Sequence, residues 1–157
     1  MSSTAAVAKP EAFGCFVEVE AVIRGFEAGT LPRSEWTHKE HLVVACWYLV
    51  CHPEAAAVEK IRAGILRYNG AVGIVSTPDS GYHETMTLFW ARMVKAFLRT
   101  ATLECAMIGL FNELVVRLGD RNLPFAYYTR ERLLSREARA EWREPDIQPL
   151  PGAARQE

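Results

Sequence analysis

The chain has almost no net charge and no long apolar run. Its 157 residues carry 18 Lys and Arg against 19 Asp and Glu, which gives a formal net charge of −1. Without a basic stripe, nucleic acid and anionic membrane surfaces are poor candidates as partners. The apolar runs are too short or too broken to span a bilayer, and residues 1–13 lack the pattern of a secretory signal. We therefore predict a cytoplasmic protein with no nucleic-acid or membrane partner.

Several familiar enzyme motifs are also missing. The stretch "GAVGIVS" at 70–76 lacks the lysine and the spacing of a phosphate-binding loop. No nucleophile elbow and no cysteine–histidine signature occurs. The four cysteines, Cys15, Cys46, Cys51 and Cys105, show no CxxC spacing and lie in apolar neighbourhoods. This pattern favours buried free thiols in a reducing cytoplasm over a disulfide framework.

Strand-like alternation of polar and apolar residues is absent, whereas helical periodicity runs through most of the chain. Half of the residues are hydrophobic and 24% are charged, which is typical of a globular protein with one core. We predict an all-α fold, an antiparallel bundle of four or five main helices plus a short C-terminal helix. The helices are expected at about 11–28, 38–51, 54–68, 81–99, 102–118 and 130–142.

The domain organisation follows from the same pattern. A single helical domain is expected at 11–143, with a mobile N-terminal tail at 1–10 and an irregular, proline-rich C-terminal tail at 144–157. Asn69-Gly70 is expected to end the third helix. The amphipathic C-terminal helix has two possible partners, its own bundle or a second subunit, so a homodimer stays open.

Histidine is scarce, and two of the four histidines lie in "WTHKEHL" at 36–42. Thr37 and Glu40 have the spacing of a capping box, which explains Glu40 without a catalytic or ligand role. His38 and His41 then occupy the N-terminal end of the core-facing stripe, as neighbours at i and i+3. The positive end of the helix dipole disfavours imidazolium. A neutral imidazole is the form that binds a metal ion.

A third histidine, His83, lies in "GYHET" at 81–85. Helical phase places it near the centre of the core stripe in the helix predicted at 81–99, with Thr87 beside it. If the N-terminal ends of the two helices meet, three imidazoles converge on one site. Trp36 and Tyr82 each directly precede a candidate ligand segment, so we expect them to wall a small cavity there. With Thr87, they are the predicted binding residues of that cavity.

Two carboxylates are candidates for a fourth ligand or a general base. Glu84 follows His83, but a carboxylate in a first helical turn also stabilises the helix dipole. Glu113 lies in the apolar stretch "CAMIGLFNELVV", where an ionised carboxylate is costly unless it is paired or bound to a cation. Pairing with Arg117, four residues on, is the simpler explanation of Glu113.

The first hypothesis is a small metalloprotein with enzyme activity. His38, His41 and His83 would hold one divalent transition metal ion, with Glu84 or Glu113 as ligand or base. Zn and Fe fit best, and imidazole ligands also suit Ni, Cu and Mn. Such a site activates water in hydrolase or lyase chemistry, or binds oxygen or substrate in an oxygenase. The apolar lining favours a small, partly hydrophobic substrate.

Two other classes of function remain open. The first is a non-catalytic module that binds a small organic ligand or haem, although the His38–His41 pair does not suit a haem slot. The second is a structural or interaction protein whose histidines are helix caps.

Three segments resemble those of a group of small bacterial helical proteins that is itself uncharacterised. They are "WTHKEHLVVACWYL", "GYHETMT" and the closing "PFAYYTRERLLSREARAEWREPDIQPLP". The resemblance covers most of residues 25–151. It implies a single domain and supplies no reaction and no catalytic roles.

Overall fold

A computed structural model of the protein describes residues 12–102 and 106–153. Within these ranges it has seven α-helices, two short 3-10 helices and no strand, so the all-α prediction is confirmed. The predicted mobile tail at 1–10 and Cys105 lie outside the described residues. The helices are α1 (Phe16–Ala28), α2 (His38–Cys51), α3 (Glu54–Ala71), α4 (Glu84–Thr100), α5 (Met107–Leu118), α6 (Arg130–Leu133) and α7 (Arg136–Ala140).

Helix α2 is the centre of the fold, because it contacts α1, α3, α4 and α5. Its residues 42–46 are buried without interruption, as expected for a helix that is apolar on every side. The predicted capping box begins this helix, and the Glu40 carboxylate accepts from the backbone N–H of Thr37 at 3.1 Å. None of the helices in the described ranges has the length and apolar character needed to cross a membrane.

Three helix starts were placed too early, and one of them is that of α5, which begins at Met107 rather than near residue 102. Helix α1 begins at Phe16 rather than near residue 11. Helix α4 begins at Glu84 rather than near residue 81, because Gly81 has a φ of 80° and His83 is extended. His83 is therefore the N-cap of α4 and does not belong to its first turn.

Two helix ends also differ from the prediction. Helix α3 continues through Asn69-Gly70 to Ala71, and the chain turns instead at Gly73, whose φ is 76°. The single helix expected at 130–142 is split into α6 and α7. The split occurs at Ser135, whose hydroxyl accepts from the backbone N–H of Ala138 at 3.1 Å and so caps a new helix.

The cysteine prediction is correct in part. Cys15, Cys46 and Cys51 are free thiols, and Cys46 is fully buried. Cys15 and Cys51 are exposed, so their predicted burial was wrong. Both lie at helix ends, Cys15 as the N-cap of α1 and Cys51 as the last residue of α2, where the core no longer covers them.

The C-terminal segment returns to the helices that precede it. Helix α7 packs on α4 of the same chain. Beyond α7, the backbone N–H of Ile147 donates to the carbonyl of Tyr127 at 2.9 Å, and Leu150 is buried.

At Gly64, α3 packs closely against Phe26 of α1, and replacing this glycine tests that packing. A Cβ at Gly64 would lie 2.7 Å from ring atoms of Phe26, which is fully buried. Gly64→Ala is expected to lower the free energy of unfolding by about 1–3 kcal/mol because the core cannot accept the added carbon without shifting. Gly70→Ala in the same helix is the control: nothing lies within 4 Å of its Cβ, so a gain of up to about 1 kcal/mol is expected. Urea denaturation measures both, and equal effects would contradict the close approach.

Candidate functional site: a histidine-lined cavity

A cavity of about 780 Å³ lies between α2, α3 and α4. Its size falls within the range of pockets that hold small organic molecules, roughly 300–1,000 Å³. The aliphatic side chains that line it are Val44, Ala45, Ile61, Ile65, Ile74 and Met86. The aromatic and polar side chains that line it are Trp36, Thr37, His38, His41, Asn69, Tyr82, His83, Thr87, Trp90 and Arg121.

The lining follows helical spacing on each of the three helices. Helix α3 contributes residues 61, 65 and 69, whereas α4 contributes 86, 87 and 90, directly after its N-cap His83. Helix α2 contributes 38, 41, 44 and 45. Each set lies on one helix face, so one stripe from each helix meets the other two around the cavity. The N-terminal ends of α2 and α4 therefore meet, and His38, His41 and His83 line the same space.

His38 presents an unprotonated nitrogen within this site. Its Nε2 lies 2.9 Å from the carbonyl oxygen of Leu118, and a carbonyl oxygen only accepts, so Nε2 carries the proton. Burial lowers the pKa of His38, partly offset by this hydrogen bond, and the ring is therefore neutral near pH 7. Nδ1 is then an acceptor, and among the described residues it has no hydrogen-bond partner.

His41 is arranged in the same way with its nitrogens exchanged. Its Nδ1 donates to the carbonyl oxygen of Thr37 at 2.7 Å, which leaves Nε2 as the acceptor. Burial again lowers the pKa, so this ring is also neutral. In the described part of the chain, the only side-chain nitrogen or oxygen that is both fully buried and unpaired is Nε of Arg143. The unpaired nitrogens of His38 and His41 are therefore accessible.

His83 differs from the other two because both of its nitrogens are used. Its Nδ1 accepts from the backbone N–H of Met86 at 3.2 Å, and its Nε2 donates to the carbonyl oxygen of Leu133 at 2.9 Å. Burial lowers the pKa of His83, so Nδ1 stays unprotonated and accepts this hydrogen bond. His83 thus caps α4 and ties it to α6, which is a structural role in this conformation.

Two tryptophans hold the acceptor rings in place. The ring centroids of Trp36 and His41 are 3.9 Å apart, and those of His38 and Trp90 are 4.3 Å apart. Trp36 is itself stacked on Phe26 at 4.8 Å. These contacts fix the planes of the imidazoles, so the acceptor nitrogens are preorganised for a ligand.

The two candidate carboxylates lie outside the cavity lining. Glu84 pairs with Arg62 and accepts from the hydroxyl of Tyr82 at 2.5 Å. Glu113 pairs with Arg117 at 2.7 Å, the i, i+4 contact that its spacing indicates. The predicted binding residues Trp36, Tyr82 and Thr87, by contrast, all lie along the cavity wall.

Two polar cavity residues were not singled out from the sequence. Arg121 follows the end of α5 and reaches the cavity from an exposed loop. Asn69 is 6% exposed and was interpreted only as a helix end. Its distance of four and eight residues from Ile65 and Ile61 was the available signal, because it continues their stripe.

The described residues contain no group of three or more His, Cys, Asp or Glu side chains placed to hold a metal ion. The two acceptor nitrogens are the histidine ligand atoms that the cavity offers, and metal binding there stays a prediction. No family model matches the chain, and neither a curated protein nor a solved structure matches it.

Proposed function

We propose that this protein binds a small, partly hydrophobic molecule in the histidine-lined cavity. One observation carries the proposal: two neutral imidazoles, each with an accessible and unpaired acceptor nitrogen, line a largely apolar space of about 780 Å³. A satisfied core histidine would have both nitrogens paired, as His83 does. We also propose that α1 to α5 form an antiparallel bundle, because that arrangement brings together the cavity-lining faces of α2, α3 and α4.

The chemistry of the pair follows from its protonation state. A neutral imidazole whose N–H is held by a carbonyl accepts a hydrogen bond from a ligand, and it takes a proton from a sufficiently acidic one. The ligand therefore carries an O–H or N–H group on an apolar body. This arrangement equally suits a binding protein and an enzyme that uses His38 or His41 as general base.

The proposal is tested with 2-naphthol and its methyl ether, 2-methoxynaphthalene. Both fill an apolar cavity, but only 2-naphthol donates a hydrogen bond. Isothermal titration calorimetry at pH 7.5 is expected to show about tenfold tighter binding of 2-naphthol, the value of one added hydrogen bond. If neither compound binds, the proposal is wrong.

A divalent transition metal ion is the second candidate for the ligand of this pair. One observation favours it: ligand histidines commonly donate their other N–H to a backbone carbonyl, as His38 and His41 do. Water or substrate would complete the coordination. Such an ion would supply a Lewis acid next to the bound molecule.

The metal candidate has its own test. Protein purified without a histidine tag is titrated with Zn²⁺ and Co²⁺, and its melting temperature is recorded. Binding by the wild type and its loss in His38→Leu/His41→Leu would support the candidate, since an ion held only by the folded state raises the melting temperature. His52→Leu is the matched control, because His52 lies at the other end of α2. Equal metal binding by all three proteins would contradict it.

A further inference from the structure

Asn69 is a buried polar side chain that the cavity leaves without a protein partner. It is 6% exposed and lies on the cavity wall. Its backbone carbonyl accepts from the N–H of Ile74 at 2.8 Å, but within the described ranges its side-chain amide makes no hydrogen bond. Neither amide atom is sealed from the cavity, since Arg143 holds the only fully buried, unpaired side-chain atom of the described chain.

Because the atoms of the Asn69 amide keep accessible surface, water can pair with this amide while the cavity is empty. A ligand that displaces that water must replace its hydrogen bonds, since an amide left unpaired costs about 1–3 kcal/mol. The hydroxyl groups of the wall are all paired: that of Thr87, for example, donates to the carbonyl of His83 at 2.9 Å. A cavity-facing amide without a partner therefore indicates a ligand group that pairs with it.

The chemistry of that group follows from the amide. An asparagine side chain offers one carbonyl acceptor and two N–H donors side by side. Its best complement is a planar group that places a donor next to an acceptor, as the edge of a carboxamide or lactam does. An ionised group is a poor complement at this depth, because Arg121 is the only charged side chain on the described wall and it approaches from an exposed loop.

We propose that Asn69 determines specificity, and that the ligand of this cavity carries an uncharged carboxamide-type edge on an apolar, ring-sized body. This inference rests on the proposed binding function and names the class of molecule that the cavity accepts. The acceptor nitrogens of His38 and His41 are available to further N–H or O–H groups of the same ligand.

The matched compounds for the test are 2-naphthamide and its methyl ketone, 2-acetonaphthone. They share size, ring and carbonyl, but only the amide has N–H donors for the Asn69 oxygen. Titration calorimetry at pH 7.5 is expected to show about tenfold tighter binding of the amide to the wild type. In Asn69→Leu this preference is expected to disappear, while 2-acetonaphthone still binds. Thr100→Val, which removes a paired hydroxyl of α4 outside the cavity wall, is expected to keep the preference.

The outcomes separate this inference from the proposed function. If 2-naphthol binds but the amide preference is absent from the wild type, or persists in Asn69→Leu, the role of Asn69 is wrong and the cavity function stands. If no naphthalene compound binds, both are wrong. Urea denaturation is the second readout: Asn69→Leu is expected to be at least as stable as the wild type, because no partner is left unpaired. A clear loss of stability would assign Asn69 a structural role and overturn the inference.

Discussion

The free energy of unfolding is expected to fall as the pH drops below about 6.5, by at most about 1.4 kcal/mol per pH unit for each buried histidine. Burial lowers the pKa values of His38, His41 and His83 in the folded protein. In the unfolded chain the same groups titrate near 6.5. Their stabilising contribution is therefore complete above pH 6.5 and is lost as the pH falls toward the folded-state values. Each group contributes up to about 1.4 kcal/mol per unit while only the unfolded chain binds its proton.

Urea denaturation between pH 7.5 and 5.0 measures this slope. His38→Gln and His41→Gln are each expected to reduce it, because each removes one group whose pKa burial lowers. Thr87→Ser changes the same cavity without a titrating group and is expected to leave the slope unchanged. A flat stability profile across this range in the wild type would show that the imidazoles are not buried as described.

The second large effect concerns ligand affinity. Replacing both acceptors, in His38→Leu/His41→Leu, is expected to weaken the binding of 2-naphthol about tenfold and to leave 2-methoxynaphthalene little changed. The double variant keeps an apolar lining, but it removes both nitrogens that accept the naphthol hydroxyl. Titration calorimetry measures both affinities, and circular dichroism confirms that the variant is folded.

A control variant shows whether the loss of affinity comes from the two acceptor rings. His83→Asn is the matched control, because an asparagine N-cap retains the cap of α4 and because His83 has no free nitrogen to lose. Its affinity for 2-naphthol is expected to match that of the wild type. Equal loss in His83→Asn and in the double variant would mean that the cavity shape, and not the acceptor nitrogens, governs binding.

Much of the fold was predictable because local signals agree with the final packing. The capping box at Thr37 and Glu40 places the start of α2 at the predicted residue, and Pro53 ends its continuation. The errors in the helix bounds occur where packing with distant residues, and not the local sequence signal, determines where a helix begins or ends. Asn69-Gly70 is a common helix end, but here the apolar stripe of α3 continues past it to the cavity.

The site was predictable in its residues and less so in their roles. Helical phase is a local property, so it places His38 and His41 on the inward face of α2. His83 lines the cavity as the N-cap of α4, outside the helix whose phase was used to place it. The roles depend on contacts between distant segments, such as those of His38 with Leu118 and of His83 with Leu133. The sequence shows neither carbonyl, and these contacts distinguish the two acceptor rings from the cap.

The most direct measurement of the central claim is ¹⁵N NMR of the imidazole side chains at pH 7.5, before and after addition of 2-naphthol. The account predicts three neutral rings, with the proton on Nε2 of His38 and His83 and on Nδ1 of His41. On addition of 2-naphthol, the unprotonated nitrogens of His38 and His41 are expected to shift, and those of His83 are expected to stay. Charged rings in the free protein, or a response confined to His83, would contradict the account.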